Sequence, residues 1–551
     1  MKNLTIDGIP VQIEDGSSIL DAARQAGIEI PTLCFFRPLC GSNAGSAFAP
    51  VSCQVCVVKV NGRIAPACST KVQEGMVVLS ENEEVKSLRK TAFELLFSDH
   101  QGDCFAPCQL ACPAGMDIPA MLRAIARNDL AAAMSIIWDR IALPSILGRI
   151  CSRPCEKVCR RGKSDSAVSI CQLKRYVADT VLGDAREIPL KVEPVNGKRI
   201  AIIGAGPSGL SAAWYLARSG CRILLLDQDP QGPGGRLKEF SEEILPRDVM
   251  DCELNHLLSE SAPDRIDFHP DTLVDFSDPD QVRDLEENYD AILLACGTNE
   301  RAFSDSKNCW GITAGPKGIA VDPETYQTAK ESVFAIGTAV RGSGALPVRS
   351  AADGREAAEQ ILLYLCSKPF GSTRNRAFSR MKKTDPDVLL ELSRGSSSAD
   401  RKEPKDAGID DFSMLEAKDQ AERCFHCDCR GREKCRLLAE SKKYAVQNTA
   451  YEEGRKAPFQ IRRSGNLIYE PAKCIKCGLC IAIAKKNGEK YGLAFIGRGF
   501  DVRIDVPFGH DLKEALEKSA KECVEACPTG ALVREESADL AANHSSIQKI
   551  D

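Results

Sequence analysis

The residues best placed to do chemistry are cysteines, 26 of them in 551, and their spacing sorts them into sets. Cys34 in IPTLC precedes Cys53, Cys56 and Cys68 in VSCQVCVVKVNGRIAPAC. Four thiolates gathered by loops hold an iron-sulfur cluster, and a CxxC pair supplies two ligands from one turn. His100 opens HQGDCFAPCQLACPAGMDIP, which carries Cys104, Cys108 and Cys112, and GRICSRPCEKVC adds Cys151, Cys155 and Cys159. These are too many donors for one cluster, and Cys171 in VSICQLKRYVAD completes the count for two 4Fe-4S clusters. RCFHCDCRGREKC packs Cys424, Cys427, Cys429 and Cys435 into one short stretch that suits either a 4Fe-4S cluster or zinc, with His426 read as a bystander. KCIKCGLC and ECVEACPTGAL carry Cys474, Cys477, Cys480, Cys523 and Cys527. Cys221, Cys252, Cys296, Cys309 and Cys366 stand alone and are read as inert buried thiols.

A second chemistry begins at residue 199. The apolar strand RIAIIG runs into GAGPSGL, which sets Gly204, Ala205, Gly206 and Gly209 at the opening of a helix. Glycines there let the backbone approach a pyrophosphate at the helix N-terminus. The next strand, CRILLLD, ends at Asp227, placed to accept from a ribose hydroxyl. Between Thr298 and Val333 the chain has no second GxGxxG and little room for another nucleotide-binding unit.

The elements that must position these groups follow from hydrophobic patterning. Alternating stretches around SILDAARQAG, whose Ile19, Ala22 and Ala23 share a helical face, predict a small β-rich domain over 1–80. Helical periodicity interrupted by cysteine loops predicts a helical domain over 81–195, and a Rossmann-like α/β domain follows over 196–370. The polar stretch 371–420 reads as a linker draped over other domains, 421–440 as a compact metal site, 441–535 as a ferredoxin-like domain and 536–551 as a polar tail. The fold class is multidomain, α/β plus α+β. Charged residues at 27%, hydrophobic residues at 43% and a net charge of -5 describe an ordinary globular protein, without the basic excess that drives nucleic-acid binding. No run of ~18 apolar residues predicts a membrane span, and the N-terminus lacks the regions of a signal peptide. A cytoplasmic location is therefore expected, where a reducing milieu favours metal ligation over disulfides.

The motifs carry resemblances. Residues 1–80 resemble the 2Fe-2S domain, a β-grasp fold, of the large iron-sulfur subunit of complex I and of multimeric hydrogenases; the gap holding Cys40 is longer here, and IPTLC favours Cys34 over Cys40 as ligand. The CP…IP and GRxCxxPCExxC strings resemble the double-cluster domain of the glutamate synthase small subunit and of dihydropyrimidine dehydrogenase. That resemblance implies interleaved ligands: His100, Cys104, Cys108 and Cys159 for one 4Fe-4S cluster, Cys112, Cys151, Cys155 and Cys171 for the other. Lys174 stands where that family has a Glu or Gln ligand. The same family implies FAD bound by the glycine turn, by Gly234, Gly235, Arg236 and Leu237 in GPGGRL, by Gly297 and Thr298 in ACGT, and by Gly337 and Thr338, the last in place of the family's Asp. The family's NAD(P)H-binding domain is missing. The C-terminal strings resemble the bacterial-type ferredoxin domains of complex I and hydrogenase subunits, reduced to one cluster by Ala484 and by the loss of two other cysteines; the resemblance implies Cys474, Cys477, Cys480 and Cys527 as one 4Fe-4S set and leaves Cys523 over.

Together these imply an electron-transfer iron-sulfur flavoprotein subunit with no substrate-converting site of its own. It would belong to a hetero-oligomeric NAD(P)H-linked oxidoreductase of an anaerobe, one compatible with electron bifurcation. Expected partners are an FMN-bearing NADH-oxidising subunit with its small 2Fe-2S subunit, and ferredoxin or a catalytic subunit such as a hydrogenase, formate dehydrogenase, transhydrogenase or ferredoxin reductase. The competing readings are a self-sufficient FAD and iron-sulfur reductase of a small organic substrate, and a structural scaffold.

Overall fold

The computed structural model describes residues 1–39, 52–183, 188, 190–260, 263–298, 309–315, 318–342, 346–370, 378–381, 384–404, 411–451 and 460–534. They form two compact units, one drawn from Met1–Phe105, Asn375–Leu392 and Cys427–Ala541, the other from Ala106–Arg374 and Ser393–His426. Among the described residues no helix is long and apolar enough to cross a membrane.

In the first unit, β1 (Lys2–Ile6), β2 (Ile9–Ile13), β3 (Val57–Val60), β4 (Arg63–Pro66) and β5 (Met76–Leu79) make one mixed sheet in the order β2-β1-β5-β3-β4. Alternation along β1, β2 and β5 turns Leu4, Ile6, Val11, Ile13, Met76 and Val78 inward. The helix Ile19–Gln25 covers that face with Ile19, Leu20, Ala22 and Ala23. It starts where it does because Ser18 and Asp21 form a capping box, each side chain accepting from the other's backbone N–H at 3.2 Å. The C-terminal part of this unit is a three-stranded antiparallel sheet of Arg462–Ser464, Leu467–Tyr469 and Leu532–Arg534, with helices Leu479–Lys486 and Ala520–Ala526 packed together.

The second unit joins a helical segment to a parallel sheet over one continuous core, in which Trp138 and Leu147 share a cluster with Trp214 and Leu225. Its sheet is built from β6 (Arg199–Ile203), β7 (Arg222–Leu226), β8 (Ile266–His269), β9 (Ala291–Leu294) and the strand Val333–Ala335, all parallel, with β6 central. Strands buried on both faces need continuous apolar runs, and RIAII, RILLL and AILL supply them. Within the stretch expected to be a linker, Pro386–Ser393 is helical, and Ser413 with Glu416 forms a second capping box that starts the helix Met414–Glu422. Arg401 pairs with Glu156 at 2.7 Å, tying that segment to the helical part of the second unit.

Candidate functional site

Three loops that carry cysteines share a backbone device. Gln54 after Cys53, His426 before Cys427 and Lys476 before Cys477 all have left-handed φ, at 55°, 46° and 56°. Arg153, between Cys151 and Cys155, repeats it at 55°. A left-handed residue that is not glycine costs energy. In return it turns backbone N–H groups toward a common point, making a nest for an anion. The His426 N–H reaches Cys424 Sγ and the Lys476 N–H reaches Cys474 Sγ, each at 3.4 Å. These are loops shaped to hold thiolates.

In the first unit, Cys34, Cys53, Cys56 and Cys68 are all buried. Hydrogen bonds from Cys53 and Cys68 favour the Cys34 thiolate, while the same contacts push Cys53 and Cys68 upward. The four are thus brought together; Cys40 lies outside the described residues. Cys474, Cys477, Cys480 and Cys527 also converge, since burial first and then one another's charge raise Cys477 and Cys480. Cys34 acts electrostatically on Cys477, so the two sets are neighbours. Cys523 is buried with its thiol 3.7 Å from the Cys480 carbonyl oxygen, beside the set.

In the second unit, Cys112 and Cys151 terminate the helices Pro107–Ala111 and Pro144–Ile150, Cys155 sits in Pro154–Lys157 and Cys171 in Ile170–Gly183. Contact with Cys171 first, against the opposing effect of burial, brings the Cys151 thiol down to about 6. Lys174 is buried one helical turn beyond Cys171. Burial disfavours its charge, but Cys171, Cys151, Cys112 and Cys155 outweigh that and hold the ammonium protonated. Lys174 is therefore a countercharge to the four thiols, a role that reading it only as a missing ligand overlooks.

The remaining donors fall in both units. Cys108, Cys159 and Cys424, half-buried, belong to the second unit; His100, Cys104, Cys427, Cys429 and Cys435 belong to the first. Among the described residues no group of three or more His, Cys, Asp or Glu side chains is set to hold a metal ion. A zinc ion with bonds of ~2.3 Å needs its thiols under ~4 Å apart, whereas a 4Fe-4S cluster spreads them more widely. Of the isolated thiols, Cys221 is buried as expected, but Cys252, Cys309 and Cys366 are exposed. Cys252 faces outward from a helix whose Met250, Glu253 and Leu254 face in, and Cys366 caps a helix end.

The glycine turn opens a cavity of about 950 Å³ in the second unit. Gly204, Gly206, Asp227, Gly235, Arg236, Leu237, Gly297, Thr298 and Thr338 all line it. Ala205, Gly209, Gly234 and Gly337 are not among the lining residues. A Cβ on Gly209 would fall 1.9 Å from the Gly204 carbonyl oxygen, so only glycine lets the helix start this close to the turn. The Asp227 carboxylate accepts from the backbone N–H of Ala205 at 2.5 Å and of Asp229 at 2.9 Å, which holds the turn against the end of β7. The sequence reading missed Asp229, Thr272, Val274 and Ser350 in the wall. Thr272 is findable only through its backbone bond to Asp227, at 2.8 Å. Cys296 lines the cavity too, and burial raises its thiol to about 11, which keeps it protonated.

The fold and these sites define an iron-sulfur protein with a Rossmann-like nucleotide domain. Family models agree: residues 1–83 match the 2Fe-2S iron-sulfur cluster binding domain, 101–185 the 4Fe-4S cluster domain II of dihydropyrimidine dehydrogenase, and 202–268 the NAD(P)-binding Rossmann-like domain. Among curated relatives, the NADPH-Fe(3+) oxidoreductase subunit beta of Geobacter sulfurreducens is 34% identical over 198 residues, 35% of this chain and 28% of that protein. The NADP(+)-dependent formate dehydrogenase subunit beta of Moorella thermoacetica is 34% identical over 214 residues, 35% of this chain and 29% of that one. The NADP-reducing hydrogenase subunit HndD of Solidesulfovibrio fructosivorans is 45% identical over 106 residues, 19% of this chain and 18% of that one. The chain thus spans less than a third of the length of these relatives.

Proposed function

We propose that the chain is an electron-transfer iron-sulfur flavoprotein subunit of a hetero-oligomeric, cytoplasmic NAD(P)-linked oxidoreductase, with FAD in the cavity beside Gly204–Gly209. The observation that carries this reading is the contiguity of thiol sets in the first unit, where Cys34 acts on Cys477 and Cys527 acts on Cys435. Such a series suits electron relay better than fold support, which one cluster would provide. When bound, the clusters and flavin supply one- and two-electron chemistry. The chain's own residues do the positioning: the left-handed loops aim N–H groups at thiolates, Lys174 offsets their charge, and the Gly204 turn leaves a helix N-terminus open to a pyrophosphate. That these relatives are subunits of NADP(H)-linked enzymes supports a multi-subunit assembly, and the partners proposed for it are an FMN-bearing NADH-oxidising subunit and ferredoxin or a catalytic subunit.

FAD is favoured over a nicotinamide nucleotide because the cavity runs from the glycine turn past Arg236 to Thr338 and Ser350, at the upper end of small-molecule sites in volume. Among the described residues one parallel sheet carries one such turn. The test has two parts. Nucleotide released from anaerobically purified chain by heat should be FAD. NADH or NADPH added to the isolated chain should leave that flavin oxidised on the timescale of turnover, until the FMN-bearing partner is supplied. Rapid bleaching by either nucleotide alone would favour the self-sufficient reductase.

A further inference from the structure

The family resemblance implies a set of His100, Cys104, Cys108 and Cys159, and the short spacing of Cys424, Cys427, Cys429 and Cys435 suggests another. The first unit arranges them otherwise. The Cys429 N–H points at the Cys104 carbonyl oxygen at 3.5 Å, and the chain turns back through Arg432 to Cys435, with N–H···O bonds of 3.2 Å on either side of Arg432. All three thiols are buried, at 4%, 6% and 6% exposure. Two are already met by backbone donors, Ser379 N–H on Cys104 Sγ at 3.3 Å and Leu438 N–H on Cys435 Sγ at 3.4 Å. Space for the third is kept by Gly530, where a Cβ would stand 2.4 Å from Cys429 Sγ.

A second observation is independent of the thiols. Lys473 and Arg430, both largely buried, share the single buried carboxylate of Glu470, at 2.7 and 3.1 Å. Arg430 follows Cys429 in the chain and the buried Asp428 precedes it, so charges of both signs flank that thiol, and buried charge is tolerated when opposite charge offsets it. The Lys473 backbone also fixes His100: its carbonyl oxygen lies 2.9 Å from His100 Nδ1. An imidazole that donates through Nδ1 presents a lone pair on Nε2, the arrangement of a metal-ligating histidine. Ser379 joins the two ends of this loop, its hydroxyl donating to the His100 carbonyl at 2.8 Å while its N–H serves Cys104.

We propose that Cys104, Cys429 and Cys435, with His100 Nε2 as fourth donor, hold one 4Fe-4S cluster inside the first unit. This centre deepens the electron-transfer reading and rests on it, for it stands next after the Cys474–Cys527 set through Cys527 and Cys435. The ligands come from chain segments more than three hundred residues apart, so the cluster staples the start of the chain to its C-terminal part.

Non-additivity tests it. In full-length chain reconstituted anaerobically with iron and sulfide, Cys104→Ser and Cys435→Ser should each remove ~4 iron atoms, and the double variant no more than either alone. Loss of ~8 in the double variant would overturn the grouping. The 2Fe-2S EPR signal of the Cys34 set, in the same unit, reports folding; its retention in all three variants is expected, and Cys429→Ser must behave as the other two. Pulsed EPR should detect imidazole nitrogen coupled to this cluster in the wild type and lose it in His100→Cys. Coupling that is absent, or unchanged in the variant, would remove His100 from the set. Wild-type chain that takes up no 4Fe-4S cluster would instead strike the functional reading.

Discussion

At the scale of single residues, the structure separates ligands from the groups that tune them. Lys174 holds its positive charge among Cys112, Cys151, Cys155 and Cys171, and a nearby cation stabilises the more negative, reduced form of a cluster. Lys174→Met should leave the iron content unchanged while shifting that cluster's potential to more negative values in an EPR-monitored redox titration, and Lys174→Arg should restore part of the shift. Loss of iron in the methionine variant would make Lys174 a structural element of the site instead. Gly209 is the converse case, a residue that acts by having no side chain. Because its Cβ would overlap the Gly204 carbonyl oxygen, Gly209→Ala should displace the turn at a cost of ~1–3 kcal/mol. Flavin retained through gel filtration should fall by about tenfold or more, with the iron content intact. The glycine spacing makes this position legible in the sequence. The part played by Lys174 is not, because a charge's effect depends on which thiols surround it.

At the scale of elements, the helix Pro144–Ile150, which ends at Cys151, is held by a residue from another helix. Glu253 accepts from the Ser145 N–H at 2.7 Å and the Ile146 N–H at 2.8 Å, capping donors that Leu143 has no side-chain group to satisfy. Truncation to Glu253→Ala strands two buried N–H groups and should cost ~2–4 kcal/mol in chemical denaturation of the second unit. Burial raises this carboxyl to about 8 from its ordinary 4.5, outweighing the two backbone bonds. The folded chain then keeps a proton that the unfolded chain releases, so this group's contribution to stability falls as pH rises from about 4.5 to about 8. Glu253→Gln should flatten that slope; a slope unchanged by the substitution would show that Glu253 does not carry it. The helices themselves follow from local signals, Ser18 with Asp21 and Ser413 with Glu416 among them. The Glu253 cap joins residues over a hundred positions apart, and no window of sequence contains both.

At the scale of the whole molecule, the count of donors leads to a count of metal. Purified anaerobically, the chain should carry ~14–18 iron atoms, and fewer than ~10 in reconstituted, flavin-loaded protein would overturn the cluster assignment. The sequence by itself determined the kinds of chemistry and where along the chain each lies: CxxC loops for clusters, a strand, glycine turn and helix for a dinucleotide, and the apolar periodicity of each supporting element. It could do so because a CxxC turn, a capping box and a βαβ unit are each made by residues close together in the chain. Only the tertiary structure decided which distant segments meet. The proposed grouping of Cys104 with Cys429 and Cys435 rests on such packing: the loop from His100 lies on Lys473, with Gly102, at φ 140°, bringing its backbone against the lysine side chain. A local motif fixes the ligands that one turn supplies, whereas the partners it meets depend on how segments far apart in the chain pack.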